Sequence, residues 1–304
     1  MPSAKVSIAL GVYNGAAYLR PQLESLLAQS HSNLEIIASD DASSDDSVAI
    51  LAEYAARDTR LVVIRNARNI GFSANFTTAF SHCTGEFICP SDQDDVWHPE
   101  KISRLLAALG EHDLAYCDSA MVDAEGRSLG RKMSEDRTMY SGSDPLFFTF
   151  SNCISGHAML FRRRLLERAL PLPKQLYYDW WLAIVATCGN GVRYVDEPLV
   201  QFRRHGSTVT TLGGIQSLPG LGMQAFLQEP LGVLAAIRSL PSYRQADAAL
   251  LEKRLAHWLE NGRGLPFMLN VVRLHNPLLL PLRPRMAQVV KKSIKYWLAM
   301  FRKP

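Results

Sequence analysis

The sequence predicts an α/β protein, a mostly parallel sheet flanked by helices, followed by a C-terminal helical extension. Three observations carry this. From Val6 to about Glu125, apolar runs of strand length alternate with segments whose apolar residues recur at helical spacing. Such alternation makes βαβ units, whose strands run parallel. The first four runs each end in a polar loop, and in such sheets ligands sit at the carboxyl ends of the strands. Residues 213–304 keep helical spacing, punctuated by Pro219, Pro230, Pro241 and Pro266.

Taken in order, residues 6–10, 34–39, 61–65, 86–89 and 114–117 read as short buried strands. Residues 17–28, 47–57, 73–82 and 99–109 read as the helices between them. Past 125 the alternation fades. Residues 119–143 are polar and loop-like, and a new apolar region runs from Pro145 through Phe161. Within it Asn152-Cys153-Ile154-Ser155-Gly156-His157 reads as a strand and tight turn beside an open pocket, where glycine permits close backbone approach. Tyr177-Tyr178-Asp179-Trp180-Trp181 opens a helix to about Cys188, and 192–195 reads as a strand. The domain expected is 1–212, divided into residues 1–125 and residues 126–212, with 213–304 appended.

Of 304 residues, 47% are hydrophobic and 20% charged, which suits a globular chain with a sizeable core and excludes disorder. Five cysteines, odd in number and mostly inside apolar runs, suggest neither a disulfide framework nor a zinc site, so a reducing cytoplasm is expected. The opening Met1-Pro2-Ser3-Ala4-Lys5 leads straight into a strand and has no signal-peptide core. The apolar stretch 265–282 is broken by Asn270, Arg273, His275, Asn276 and prolines, which argues against a membrane span. The formal charge of +4 gathers in the tail. There Met286, Val289, Val290, Ile294, Trp297, Leu298 and Phe301 recur at three- and four-residue steps among lysines and arginines. Residues 285–303 are therefore expected to form a basic amphipathic helix, either lying on an anionic membrane surface or packing on a protein partner such as a second copy.

The loops at the strand ends carry the chemistry. Ser91-Asp92-Gln93-Asp94-Asp95 puts three carboxylates in four positions directly after a strand, where a hard cation such as Mg²⁺ or Mn²⁺ and a diphosphate can share oxygens. The plain alternative is that Asp94 or Asp95 caps the helix beginning near His98-Pro99-Glu100. The other loops hold Tyr13-Asn14-Gly15, Asp40-Asp41-Ala42-Ser43 and Arg68-Asn69-Ile70-Gly71. Each has its own turn or cap reading, yet four opening on one edge favour a site. Asp179, flanked by four aromatic residues, reads as a helix N-cap or as a base beside a binding platform. Phe202-Arg203-Arg204-His205-Gly206 suits a diphosphate or the metal that carries one.

Together these motifs resemble family 2 glycosyltransferases, and more narrowly the bacterial rhamnosyltransferase-type subgroup that builds surface polysaccharides. The resemblance covers residues 5–210 and not the tail. It implies the fold called GT-A, with nucleotide binding in residues 1–125 and acceptor binding in residues 126–212, and inverting transfer from a nucleotide-diphospho-sugar such as dTDP-rhamnose or a UDP-sugar. The acceptor would be a saccharide or lipid-linked glycan, and the cation Mg²⁺ or Mn²⁺. By the same resemblance Tyr13, Asn14, Asp40, Asp41, Arg68, Asn69, Asp92, Gln93 and Arg203 would meet the nucleotide-sugar. Asp94, His205 and Asp92 would hold the metal, with Asp94 the direct ligand. Asp179 would be the catalytic base, and Trp97, Gly156, His157, Trp180 and Trp181 would line the acceptor and sugar pocket. The chain departs from the family at Gly11, where proline usually stands, and at Phe202, where the subgroup has tyrosine. It lacks the Gln-x-x-Arg-Trp motif of processive synthases, so one sugar per encounter is expected.

A sugar nucleotidyltransferase would need a basic residue in the first loop, where none stands, and a dinucleotide-binding oxidoreductase would need G-x-G-x-x-G there. A non-catalytic sugar-nucleotide or membrane-binding relative would be expected to have lost Asp94 or Asp179, and both are present. Nucleic-acid binding has only the basic tail to recommend it, whose apolar stripe suits a membrane or protein better.

Overall fold

The computed structural model describes residues 4–149, 151–173, 176–205, 223–242 and 244–261 of the chain. The expected basic helix at 285–303 lies outside them.

The first strand, β1 (Val6–Val12), is buried on both faces apart from Gly11, as its unbroken apolar run requires of a central parallel strand. Val6, Ile8, Leu10 and Val12 share a core with Leu19, Leu23 and Leu26 of α1 (Ala16–Leu27) and with Ile50, Leu51 and Tyr54 of α2 (Ser47–Arg57). On the opposite face α3 (Phe72–His82) packs on β1 and on β2 (Leu34–Asp40). After β3 (Leu61–Arg65) and β4 (Phe87–Ser91) comes β5, the two residues Val96–Trp97. Next are α4 (Lys101–Leu109), β6 (Leu114–Val122) and β7 (Ser128–Lys132). The unit ends with β8 (Met159–Arg162), α5 (Leu165–Ala169), α6 (Tyr178–Thr187) and β9 (Val192–Arg203).

One sheet takes the order β3-β2-β1-β4-β8-β6-β9-β5, with β7 on β6. The quartet β3-β2-β1-β4 is parallel, as the alternation predicts. Beyond it the sheet is mixed, because β8 inserts antiparallel between β4 and β6. Residues 159–162 belong to the apolar region where the alternation fades, so nothing local announces their place. Residues 152–155 have no regular structure and Gly156–Ala158 is a single 3₁₀ turn, in place of the strand that the apolar pattern predicts.

Register positions the site. Val12 lies opposite Asp40, and Leu10 opposite Ser91, so the loops after β1, β2 and β4 open at the same sheet edge. Val122 pairs with Arg203 and Val96 with Gln201, which carries the end of β9 to the loop after β4.

By contacts, one compact unit comprises Met1–Met133, Tyr140–Asp144 and Ile154–Val209, and a second comprises Ser134–Met139, Pro145–Cys153 and Thr210–Pro304. In the second, α7 (Met223–Ser239) and α8 (Gln245–Asn261) pack through buried Val233, Leu234, Ile237, Ala248 and Leu251, joined by an Arg238–Glu252 ion pair at 2.9 Å. No helix among the described residues is long and apolar enough to cross a membrane. None of the five cysteines forms a disulfide.

Candidate active site

Asn14 adopts a left-handed φ of +48°, which asparagine tolerates, and its side-chain oxygen accepts from the Ser44 amide at 2.8 Å. The turn reading and the site reading of this loop thus hold together: the turn presents Tyr13, 48% exposed, at the edge. Gln93 reaches across from the acidic loop. Its Oε1 accepts from the Tyr13 amide at 2.8 Å and its Nε2 donates to the Tyr13 carbonyl at 3.0 Å. A Cβ at position 15 would stand 2.3 Å from that Oε1, so Gly15 is what lets the two loops close on each other.

Asp40 is fully buried; one carboxylate oxygen accepts from the Ser43 amide at 3.1 Å and the other has no hydrogen-bond partner. Asp41 is turned inward. Its oxygens accept from the Ile70 amide (2.9 Å), the Gly71 amide (2.9 Å) and the Asn66 side chain (3.0 Å), shaping the loop after β3. Asp41 therefore works as a buried loop cap, where the sequence suggests a nucleotide contact. Arg68 and Asn69 of that loop are exposed.

The acidic loop concentrates charge. Neither Asp94 nor Asp95 caps a helix, since the two-residue strand β5 intervenes and α4 begins after Glu100. Asp94 Oδ2 meets His205 Nε2 at 2.7 Å, joining residues 111 positions apart. Burial first, then the charge of Asp92, pushes the Asp94 carboxyl upward, against the hydrogen bond from His205. Asp95 is driven well above the carboxylate range by burial and by the charges of Asp94 and Asp92, and its Oδ2 has no hydrogen-bond partner. One oxygen each of Asp92 and Asp95 and one nitrogen of His157 lie within 4.8 Å of one another, a set that could ligate a metal. His157 is fixed from behind by Ser119 Oγ at 3.0 Å and stacks on Phe202 at 4.6 Å. That stacking needs no hydroxyl, which accounts for a phenylalanine at 202.

Arg203 is not free for a diphosphate. Its guanidinium donates to the carbonyls of Asp94 (2.8 Å), Ala124 (2.9 Å) and Asp123 (3.3 Å), and its backbone amide to Asp95 Oδ1 (3.1 Å). It braces the acidic loop from behind, and nothing in the local sequence distinguishes this from a surface arginine. Trp97 is likewise not a pocket wall: it sits in the core, 2% exposed, under the Lys101 ammonium 3.0 Å from the ring centroid. Trp180 and Trp181 are buried too, the latter donating to the Ala169 carbonyl at 2.7 Å. Gly156 and His157, by contrast, lie beside the carboxylates. Asp179 sits in the first turn of α6, whose N-cap is Tyr177, and its Oδ2 accepts from the Gly156 amide at 3.2 Å.

Two participants escape the sequence reading. Asp95 is counted there among the three carboxylates and as a possible cap, yet is given no role of its own. Lys101, fully buried, donates to the His157 carbonyl at 2.5 Å, and burial pulls its ammonium down to about 8. Its signal is legible: Lys101, Leu105 and Leu109 share one stripe of α4, so the lysine has to face inward.

A family model described as Glycosyl transferase family 2 matches residues 7–170, more than half of the chain. EpsH of Bacillus subtilis (strain 168), whose name describes it as a glycosyltransferase, is 32% identical over 222 residues, covering 69% of this chain and 63% of that protein. An uncharacterized glycosyltransferase of Nostoc sp. is 26% identical over 219 residues, covering 67% of this chain and 66% of the relative. The chain thus spans less than two thirds of these relatives. Among solved structures, S. aureus TarS 1-349 in complex with UDP-GlcNAc superposes with a TM-score of 0.61 at 19% identity, over 85% of this chain and 74% of that one. Mannosyltransferase PcManGT from Pyrobaculum calidifontis, in complex with GDP-Man and Mn²⁺, gives 0.51 at 17% identity over 93% and 87%. The chain belongs to glycosyl transferase family 2, and its catalytic unit has the GT-A fold.

Proposed function

We propose that this protein transfers one sugar from a nucleotide-diphospho-sugar to an acceptor hydroxyl with inversion, in bacterial polysaccharide synthesis. The observation that carries the reading is the meeting of Asp94 and His205 at 2.7 Å, at the sheet edge where nucleotides bind in such folds.

Three carboxylates crowd this edge, two of them pushed toward protonation by burial and by one another. The crowded carboxylates, one Asp95 oxygen orphaned among them, fit a divalent cation, Mg²⁺ or Mn²⁺; Asp94, His205 and Asp92 would hold it, or Asp92 with Asp95 and His157, whose ligand atoms lie within 4.8 Å of one another. When bound, the cation offsets the charge that develops on the leaving diphosphate. Asp92, Asp94 and His205 keep partial exposure, side chains 29%, 18% and 11% accessible, so a ligand can approach them. Asp95 and His157 are buried and back them. Tyr13 and Asn14 offer the nucleoside a presented ring and a rigid turn.

Asp179 accepts the proton of the acceptor hydroxyl as that oxygen bonds to the anomeric carbon. The carbon–oxygen bond to the diphosphate breaks, its electron pair leaving with the nucleoside diphosphate. A single displacement inverts the centre. The rhamnosyl-type resemblance supports dTDP-rhamnose as one donor and a lipid-linked glycan as one acceptor; a peripheral membrane position rests on the basic tail alone.

Calorimetric titration of dTDP, UDP and GDP, with and without Mn²⁺, into the wild type and Asp94→Ala tests this. Binding that requires Mn²⁺ and is lost in the variant is expected. Metal-independent binding that survives the substitution would remove the metal from Asp94, and no nucleotide binding at all would favour a non-catalytic protein.

A further inference from the structure

Tyr178 opens α6 beside Asp179, and its ring is 1% exposed. It packs among Phe76, Phe72 and Phe80, at centroid distances of 4.4, 5.5 and 5.7 Å, so ring burial alone secures it. The hydroxyl is another matter. It lies against the backbone of Gly156, where a Cβ would stand 2.0 Å from it, so residue 156 has to be glycine for the phenol to reach this position. Gly156 in turn donates its amide to Asp179. No described residue gives the Tyr178 hydroxyl a hydrogen bond. The hydroxyl is unpaired yet not sealed off, unlike the orphaned atoms of Asp40, Asp95 and Trp97, and phenylalanine would fill the same aromatic cluster, so packing alone does not call for it. Burial first, then the charges of Asp92, Asp179 and Asp95, raises the phenol well above its ordinary range. Gly156, which the hydroxyl abuts, donates to Asp179 on one side and on the other leads into His157, 3.7 Å from Asp92 and Asp95, so the hydroxyl stands beside the space where the transferred sugar would sit.

We infer that Tyr178 is a sugar-contacting residue, its hydroxyl aimed past Gly156 at a hydroxyl of the donor's sugar, and that it sets preference for the sugar independently of the nucleotide. This rests on the glycosyl-transfer reading above. A site built to hydrogen-bond a substrate hydroxyl discriminates strongly, because its own polar group is stranded when the partner is missing.

The test compares the wild type with Tyr178→Phe, by calorimetry with Mn²⁺, for three pairs of ligands: UDP and UDP-GlcNAc, GDP and GDP-mannose, dTDP and dTDP-rhamnose. The melting temperature of each protein is recorded alongside. For the pair whose sugar nucleotide the wild type prefers over its diphosphate, the variant is expected to bind the diphosphate unchanged. It is expected to lose about 10-fold or more in affinity for the sugar nucleotide, with no fall in melting temperature. A variant that keeps the full preference for the sugar overturns the inference while leaving the transferase reading intact. Equal loss for both members of the pair overturns it in favour of a structural role. A wild type that binds the diphosphates but prefers none of the sugar nucleotides overturns the inference alone, and one that binds none of the six ligands overturns both readings.

Discussion

The side-chain amide of Gln93 grips the backbone of Tyr13 from both sides, accepting from its N–H at 2.8 Å and donating to its carbonyl at 3.0 Å. The acidic loop and the loop after β1 are thereby one rigid piece, and the glutamine between Asp92 and Asp94 is a clamp. Gln93→Ala is expected to weaken nucleoside diphosphate binding about 10-fold while the melting temperature shifts by no more than about 3 °C, because both bonds lie near the surface. Calorimetry and thermal melting on the same preparation check this. A large drop in melting temperature would show instead that the clamp holds the fold.

Asp179→Asn preserves size and the bond from Gly156 but cannot take a proton. In the donor and acceptor pair that the wild type turns over, kcat is expected to fall by about 10²–10⁴ with the donor's KM nearly unchanged. An unaltered kcat would exclude Asp179 as the base.

Asp41→Ala removes one acceptor from three donors at once, the amides of Ile70 and Gly71 and the side chain of Asn66. Stability measured by urea unfolding should drop by about 2–4 kcal/mol, since buried donors are left unsatisfied. A loss of nucleotide affinity without loss of stability would return Asp41 to direct contact with ligand.

Glu35 ties β2 to the start of β1 through Lys5 and Ser7 and to the chain before β4 through Thr84. Burial raises its pKa, but these bonds more than offset it and bring the carboxyl down to about 2 from 4.5. Because the folded value is the lower one, this stabilisation is complete above about pH 5 and is lost as the pH falls from there toward 2. Glu35→Gln should therefore lower the melting temperature at pH 7 and differ little from the wild type at about pH 2. A penalty independent of pH would deny the charged form its role.

The first four strands and the helices between them are legible in the sequence because a strand buried on both faces must be an apolar run, and the crossover helices carry their own periodicity. The convergence of four loops on one edge follows from parallel topology alone. Side-chain direction does not follow. Asp41 and Arg203 read as ligand contacts, yet both turn inward, since only packing decides whether a polar group meets solvent or a buried backbone donor or acceptor. The same holds for Trp97, which shares a motif with the carboxylates and lies in the core behind them.

What the sequence by itself determined is the parallel half of the sheet, the edge at which chemistry gathers, and the residue types brought there, because these depend on local periodicity and on the handedness of crossovers. Only the tertiary structure decided that β8 slots antiparallel between β4 and β6, that His205 reaches Asp94 across 111 positions, and that the Tyr178 hydroxyl comes to rest against Gly156. These are non-local pairings, fixed by the shape left over once the whole core has packed, and no stretch of chain carries that information alone.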